Sequence, residues 1–90
     1  MEIGAHILVK GMVQGVGFRY YVFNHAVSLG LKGFVCNRYD GSVEVLAQGN
    51  RSLVEELIKE LKVGSRMARV TDINVEWKEI NEHFQTFDIR

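Results

Sequence analysis

Hydrophobic residues alternate with polar ones, or run together, along several short stretches of the chain, as they do in β-strands. In the first stretch, His6 to Val13, the side chains of Ile7, Val9 and Val13 fall on one face and His6 falls on the other. The remaining predicted strands are Lys32 to Asn37, Ser42 to Gln48, the run containing Ile73, Val75 and Trp77, and a short run at Phe87 and Ile89. The chain therefore supplies material for a five-stranded sheet.

Two further stretches carry apolar residues at helical spacing. The first stretch has Val22, Phe23, Ala26 and Val27, with Gly30 as a stop signal, and the second is the stripe Leu53, Val54, Leu57, Ile58 and Leu61. Ser52 and Glu55 have the spacing of a capping box at the start of the second helix, and Asn50 is an alternative N-cap. Gly64 suits the end of that helix.

The order of these elements predicts the fold class. Asp40-Gly41 favours a hairpin turn between the second and third strands, because this dipeptide adopts positive φ at little cost. The order is then β-α-β-β-α-β with a short additional C-terminal strand. Two amphipathic helices need one face of a sheet to bury their stripes. We therefore predict an α+β sandwich of ferredoxin-like topology, with two helices on one face of an antiparallel sheet, in a single domain of residues 1–90.

Composition and charge narrow the class of function. The 90 residues are 47% hydrophobic with a net charge of zero, which is typical of a globular protein and argues against nucleic-acid binding by general electrostatic attraction. There is no apolar run of membrane length and no secretory signal. The lone Cys36 favours a reducing, cytoplasmic setting. His6, His25 and His83 are scattered without ligand spacing, so we expect no metal site.

A glycine-rich turn carries the candidate chemistry. Gly15-Val16-Gly17 lies between a predicted strand and a predicted helix, where backbone N–H groups converge on anions. It lacks the third glycine of a dinucleotide motif and the Gly-Lys-Ser/Thr ending of a Walker loop. Arg19 follows directly, at a helix end that is already positive. That arrangement is unfavourable unless an anion sits between them, so the turn predicts a phosphate-sized site.

Two longer segments carry a wider pattern. The first is Val9 to Arg19, VKGMVQGVGFR, and the second is Gly33 to Asn37, GFVCN, followed by Asp40 to Val43, DGSV, and ending at Gly49. The first resembles the signature of the acylphosphatase family in full, and the second resembles another segment of that family. The resemblance extends over essentially the whole chain. Cys36 departs from the family pattern, which usually has a longer side chain there, and Ser65 stands where many relatives have proline.

The resemblance implies hydrolysis of acyl phosphates to a carboxylate and inorganic phosphate, without a cofactor. A small domain of zero net charge without an obvious apolar patch is most simply a monomer. It implies that Arg19 binds the phosphoryl group and that Asn37 positions the attacking water. The implied phosphate cradle consists of the backbone of Gln14, Gly15, Val16, Gly17, Phe18 and Arg19. Period-two alternation places Cys36 on the opposite face of its strand from Asn37, so we do not expect Cys36 to be a nucleophile.

Two other classes of function remain open from the residues alone. RNA-binding modules of the RRM type share the element order, and Lys32 to Val35 echoes part of their stacking motif, but it falls on the second strand rather than the third. The first strand also lacks an aromatic residue on which a base could stack. A regulatory domain that binds an anion without turnover is the second alternative, and an acyl phosphate hydrolysis assay distinguishes it.

Overall fold

The structure, a computed structural model, describes residues 1–90 and contains two helices and five strands. The elements are β1 (Glu2–Met12), α1 (Phe18–Ser28), β2 (Lys32–Asn37), β3 (Val43–Asn50), α2 (Arg51–Val63), β4 (Arg69–Lys78) and β5 (Phe87–Ile89). Every predicted element is present. The first and fourth strands begin earlier than their hydrophobic patterns indicate. The added residues pair with neighbouring strands, over Glu2 to Ala5 in β1 and at Arg69, Val70 and Asp72 in β4. Neither helix has the length and hydrophobicity that crossing a membrane requires.

The strands form one sheet in the order β4-β1-β3-β2-β5. The predicted ferredoxin-like arrangement is confirmed, and the four longer strands pair antiparallel as expected. The prediction of an antiparallel sheet needs one correction, because β5 pairs in parallel with β2 and makes the sheet mixed. β4 and β5 lie at opposite edges of the sheet, and residues 79–86 carry the chain across and reverse its direction. The short apolar run at Phe87 and Ile89 carries no information about that direction.

One cluster of 17 buried hydrophobic residues lies between the sheet and the helices. The buried residues of α1 are Phe18, Val22 and Ala26, and those of α2 are Val54, Leu57, Ile58 and Leu61. Two residues of the predicted stripes are exposed instead: Val27 by 51% and Leu53 by 37%. Val27 follows the buried Ala26, and Leu53 precedes the buried Val54. One position corresponds to about 100° around the helix. They therefore face the rim of the layer rather than the sheet.

The start of α2 decides between the two predicted caps. The backbone of Asn50 is extended, and its side-chain oxygen accepts a hydrogen bond from the Ser52 N–H at 3.0 Å. The Ser52 hydroxyl donates to the same Asn50 oxygen at 2.8 Å, so Ser52 supports the cap and is not itself the cap. The capping-box interpretation of Ser52 and Glu55 is wrong, because the helix begins at Arg51 and Ser52 already lies within its first turn. Gly64 ends the helix as predicted.

The direction of three strands brings distant parts of the chain together. β1 and β2 are both antiparallel to β3, so they run the same way, and β5 is parallel to β2. The carboxyl-terminal ends of β1, β2 and β5 therefore lie at the same end of the sheet. Val43, at the start of β3, pairs with Val9 on one side and with Asn37 on the other. This end of the sheet holds the candidate site.

Candidate active site

The loop after β1 leads into α1 through two glycines with left-handed backbone conformations. Gly15 has φ 73° and Gly17 has φ 76°, and a Cβ added at either position would meet no atom within 4 Å. The backbone conformation, not lack of space, requires glycine here. Gly17 is the N-cap of α1 without a side-chain hydrogen bond, and the first turn has no acidic residue. The N–H groups at this helix end are thus not capped by the chain's own side chains.

A cleft of about 280 Å³ lies against this helix end. It contains both residues that the family resemblance marks as catalytic, Arg19 from α1 and Asn37 from the end of β2. The cleft is lined by Val13, Gly15, Gly17, Phe18, Arg19, Tyr20, Asn37 and Ile89. Two members of the predicted cradle do not line it. Val16 packs against the hydrophobic core, and the side chain of Gln14 bonds elsewhere.

The guanidinium of Arg19 is held from the far end of the chain. Its Nη1 donates to the backbone carbonyl of Arg90 at 2.9 Å. Arg90 is fixed in turn, since its N–H donates to the Val35 carbonyl at 2.8 Å and its guanidinium lies 4.1 Å from the centroid of the Phe34 ring. No local pattern predicts this contact, because it depends on the parallel pairing of β5 with β2. The same pairing brings Ile89 to the cleft.

Asn37 is exposed and lies directly before a tight turn formed by residues 38–42. The Arg38 N–H donates to the Ser42 carbonyl at 2.9 Å, and the Gly41 N–H donates to the Arg38 carbonyl at 3.2 Å. Hydrogen bonds from the Ser42 hydroxyl and N–H lower the pKa of Asp40. A second, open cleft of about 650 Å³ runs along residues 37–40 and shares Asn37 with the first.

Gln14 connects this turn to the glycine loop. Its side-chain nitrogen Nε2 donates to the Arg38 carbonyl at 2.7 Å and to the Ser42 carbonyl at 2.9 Å. Sequence reasoning assigned only the backbone of Gln14 to the site. The partners are 24 and 28 residues away, so no local spacing indicates them.

The cysteine lies on the sheet face opposite the helices, in a separate polar cluster. The Cys36 thiol donates to Glu44 at 3.4 Å. Burial, followed by the hydrogen bond to Glu44 and its charge, raises the pKa of Cys36, so the thiolate is disfavoured. His6 Nε2 lies 2.6 Å from Glu44 Oε2, and this hydrogen bond is the main cause of the lowered Glu44 pKa. The geometry agrees with the expectation that Cys36 is not a nucleophile.

His25 is also outside the cleft. Its Nε2 lies 3.7 Å from Glu60 Oε2, and its ring centroid lies 4.5 Å from that of Tyr21. The Tyr21 hydroxyl donates to the Glu60 carbonyl at 2.9 Å. His25 thus belongs to the contact between α1 and α2.

Comparison with known proteins identifies the family. The family model described as acylphosphatase matches residues 5–89, nearly the whole chain. The chain belongs to the acylphosphatase family. A curated acylphosphatase of Caldanaerobacter subterraneus subsp. tengcongensis is 44% identical over 89 residues, covering 99% of both chains. The crystal structure of the Bacillus subtilis acylphosphatase superposes with a TM-score of 0.95 at 41% identity, covering 98% of both chains.

A second solved acylphosphatase, from Coxiella burnetii, gives a TM-score of 0.92 at 37% identity and covers 99% of this chain and 93% of its own. Family membership and relatives of this identity confirm the predicted activity. The protein is a hydrolase. Its substrates are acyl phosphates, which it converts to carboxylate and inorganic phosphate.

Proposed function

We propose that Arg19 binds the phosphoryl group of the acyl phosphate and that Asn37 orients the water that attacks it. The observation that carries this assignment is that both side chains line one cleft of about 280 Å³ together with the N-terminal end of α1.

Three sources of positive potential support phosphoryl binding at this point. The helix dipole places partial positive charge at Gly17 and Phe18, and the loop N–H groups add donors. Arg19 adds a full charge with a planar fork of donors that matches two phosphate oxygens. The bond to the Arg90 carbonyl occupies one N–H of Nη1 and leaves the other donors of the guanidinium for the substrate.

The chemistry explains why so few side chains suffice. Phosphoryl transfer passes through a loose transition state, with charge spread over the equatorial oxygens, so positioning and electrostatic stabilisation supply most of the catalysis. The water oxygen forms a bond to phosphorus as the phosphorus–oxygen bond to the acyl group breaks. The bonding electrons leave with the carboxylate, which needs no general acid.

Asn37 suits the role of orienting water, because its amide both accepts and donates a hydrogen bond but takes no proton near neutral pH. The proton lost by the attacking water therefore needs another acceptor. We assign it to a non-bridging oxygen of the substrate's own phosphate, and the product is then a protonated inorganic phosphate.

Steady-state kinetics on benzoyl phosphate, with phosphate as a competitive inhibitor, separate the two roles. Arg19→Ala should weaken phosphate inhibition and lower kcat/KM together, because it removes a contact with the anion. Asn37→Ala should lower kcat with a smaller effect on phosphate inhibition. If Asn37→Ala weakened phosphate inhibition and kept the parental kcat, the two residues would have to exchange roles.

The proposed active unit is one copy of the domain formed by residues 1–90, a monomer in the cytoplasm. Every residue of the proposed site comes from one chain, which has one continuous core, and the free thiol of Cys36 suits a reducing compartment. The net charge of zero supports a small-molecule substrate rather than a nucleic acid or a membrane surface. Sedimentation at assay concentration should report the mass of one chain, and a stable dimer would contradict the proposal.

A further inference from the structure

The turn that follows Asn37 lies beyond the last paired residues of the sheet. The β1–β3 ladder ends at Val9 and Val43, and the β2–β3 ladder ends at Asn37 and Val43. Residues 38–42 are therefore joined to each other by the turn's own hydrogen bonds and not by a strand ladder on the side of the glycine loop. Asn37 sits at the base of this turn, where the support from the sheet stops.

Gln14 supplies the missing connection. Its amide nitrogen has two N–H donors, and the two carbonyls that accept from Nε2 belong to Arg38 and Ser42, the residues that open and close the turn. Both donors are thus used on the base of one turn, at 2.7 and 2.9 Å. Gln14 immediately precedes Gly15, the first glycine of the loop. Its side chain therefore ties the loop that carries the uncapped helix end to the turn that carries Asn37.

We propose that Gln14 is a positioning residue for the hydrolysis, which fixes Asn37 relative to the phosphate-binding loop. This inference rests on the proposed function, since it requires that Asn37 orient the attacking water. The backbone of Gln14 belongs to the predicted cradle, but its side chain acts through Asn37 and does not touch the substrate. Loss of this side chain would displace the attacking water, and a displacement of about 1 Å costs up to about 100-fold in rate.

The chain offers a matched control in a second glutamine. Gln48 also bridges backbone groups of a loop, because its Nε2 donates to the Glu82 carbonyl at 2.7 Å and its Oε1 accepts from the Phe84 N–H at 3.0 Å. Gln48 lies about 17 Å along β3 from Val43. It is therefore remote from the cleft. A glutamine that only stabilises a loop should behave as Gln48 does.

The test is a double-mutant cycle in kcat on benzoyl phosphate, with thermal unfolding of each variant as a check of folding. It compares the parent, Gln14→Ala, Asn37→Ala, the double variant and Gln48→Ala. We expect Gln14→Ala to lower kcat about 10- to 100-fold while the inhibition constant for phosphate changes by less than about threefold. In the Asn37→Ala background the same substitution should lower kcat by less than about twofold. Gln48→Ala should lower the unfolding temperature and keep kcat.

Two results would overturn the inference while leaving the proposed role of Asn37 in place. One is a Gln14→Ala enzyme with parental kcat, and the other is an equal loss of kcat from this substitution with and without Asn37. A parental kcat in Asn37→Ala would remove the proposed role of Asn37 itself, and the inference with it. Should Gln14→Ala fail to fold, Gln14→Met keeps the length of the side chain without its donors, and the same cycle applies to it.

Discussion

The surroundings of Arg19 combine a local pattern with a contact that spans the chain. Its charge beside a glycine turn at a helix start is visible in consecutive residues, so the sequence predicts an anion site there. Its hydrogen bond to the Arg90 carbonyl joins residues 71 positions apart. The contacts from Gln14 to Arg38 and Ser42 are equally non-local. At the scale of one residue, the sequence predicts the candidate site residues but not the distant backbone groups to which their side chains bond.

Glu44 gives a prediction about pH at the same scale. Its pKa is lowered from the ordinary value of 4.5, chiefly by the hydrogen bond to His6 and further by that from Cys36, against the opposing effect of burial. A lowered pKa in the folded state means that the carboxylate stabilises the fold above the ordinary pKa. This contribution is lost as the pH falls through the lower, folded-state value.

Glu44→Gln should therefore be less stable than the parent at neutral pH, and the difference should shrink as the pH falls below about 4.5. Urea unfolding of both proteins across this range measures the difference. His6→Ala removes the main cause of the lowered Glu44 pKa, so the stability of this variant should fall less steeply with decreasing pH than that of the parent. A difference between Glu44→Gln and the parent that stayed constant with pH would show that the His6–Glu44 contact does not stabilise the folded state.

At the scale of elements, hydrophobic periodicity predicts the helices and strands well, because each element buries one side against the core and needs apolar residues there. The stripe of α2 needs only the correction at Leu53, and β2 has its predicted bounds. The exact boundaries of elements and the direction of the last strand are harder to predict from sequence. The N-cap of α2 depends on where the backbone enters the helix, and the parallel pairing of β5 depends on the path of residues 79–86 across the molecule.

The cap of α2 can be tested directly. Asn50→Ala should lower the free energy of unfolding by about 1 kcal/mol, because it leaves the Ser52 N–H without its acceptor. Ser52→Ala is the matched control and should cost less, since the backbone N–H that Asn50 accepts remains in place. Urea denaturation midpoints compare the two variants. A larger loss for Ser52→Ala would restore the capping-box interpretation.

At the scale of the whole molecule, the order of elements was sufficient to predict the ferredoxin-like topology, because the order β-α-β-β-α-β with both apolar helix stripes packed on one sheet face is that topology. In that topology β1, β2 and β5 finish at the same end of the sheet. The glycine loop, Asn37 and Ile89 meet at this end, although they lie in separate parts of the sequence. The cleft is therefore a property of the fold, and the motifs at Val9 to Arg19 and Gly33 to Asn37 supply the residues proposed for its chemistry.

The most direct test of the whole account is the rate of benzoyl phosphate hydrolysis by the parent and by Arg19→Ala, with a metal chelator present throughout. Arg51→Ala is the control, since its guanidinium lies over the Trp77 ring at 4.2 Å, outside the cleft. The parent should hydrolyse the substrate, Arg51→Ala should retain its kcat/KM, and Arg19→Ala should lose at least ~10²–10³ in kcat/KM. A folded Arg19→Ala enzyme within a few-fold of the parent would contradict the assignment of Arg19 to the phosphoryl group.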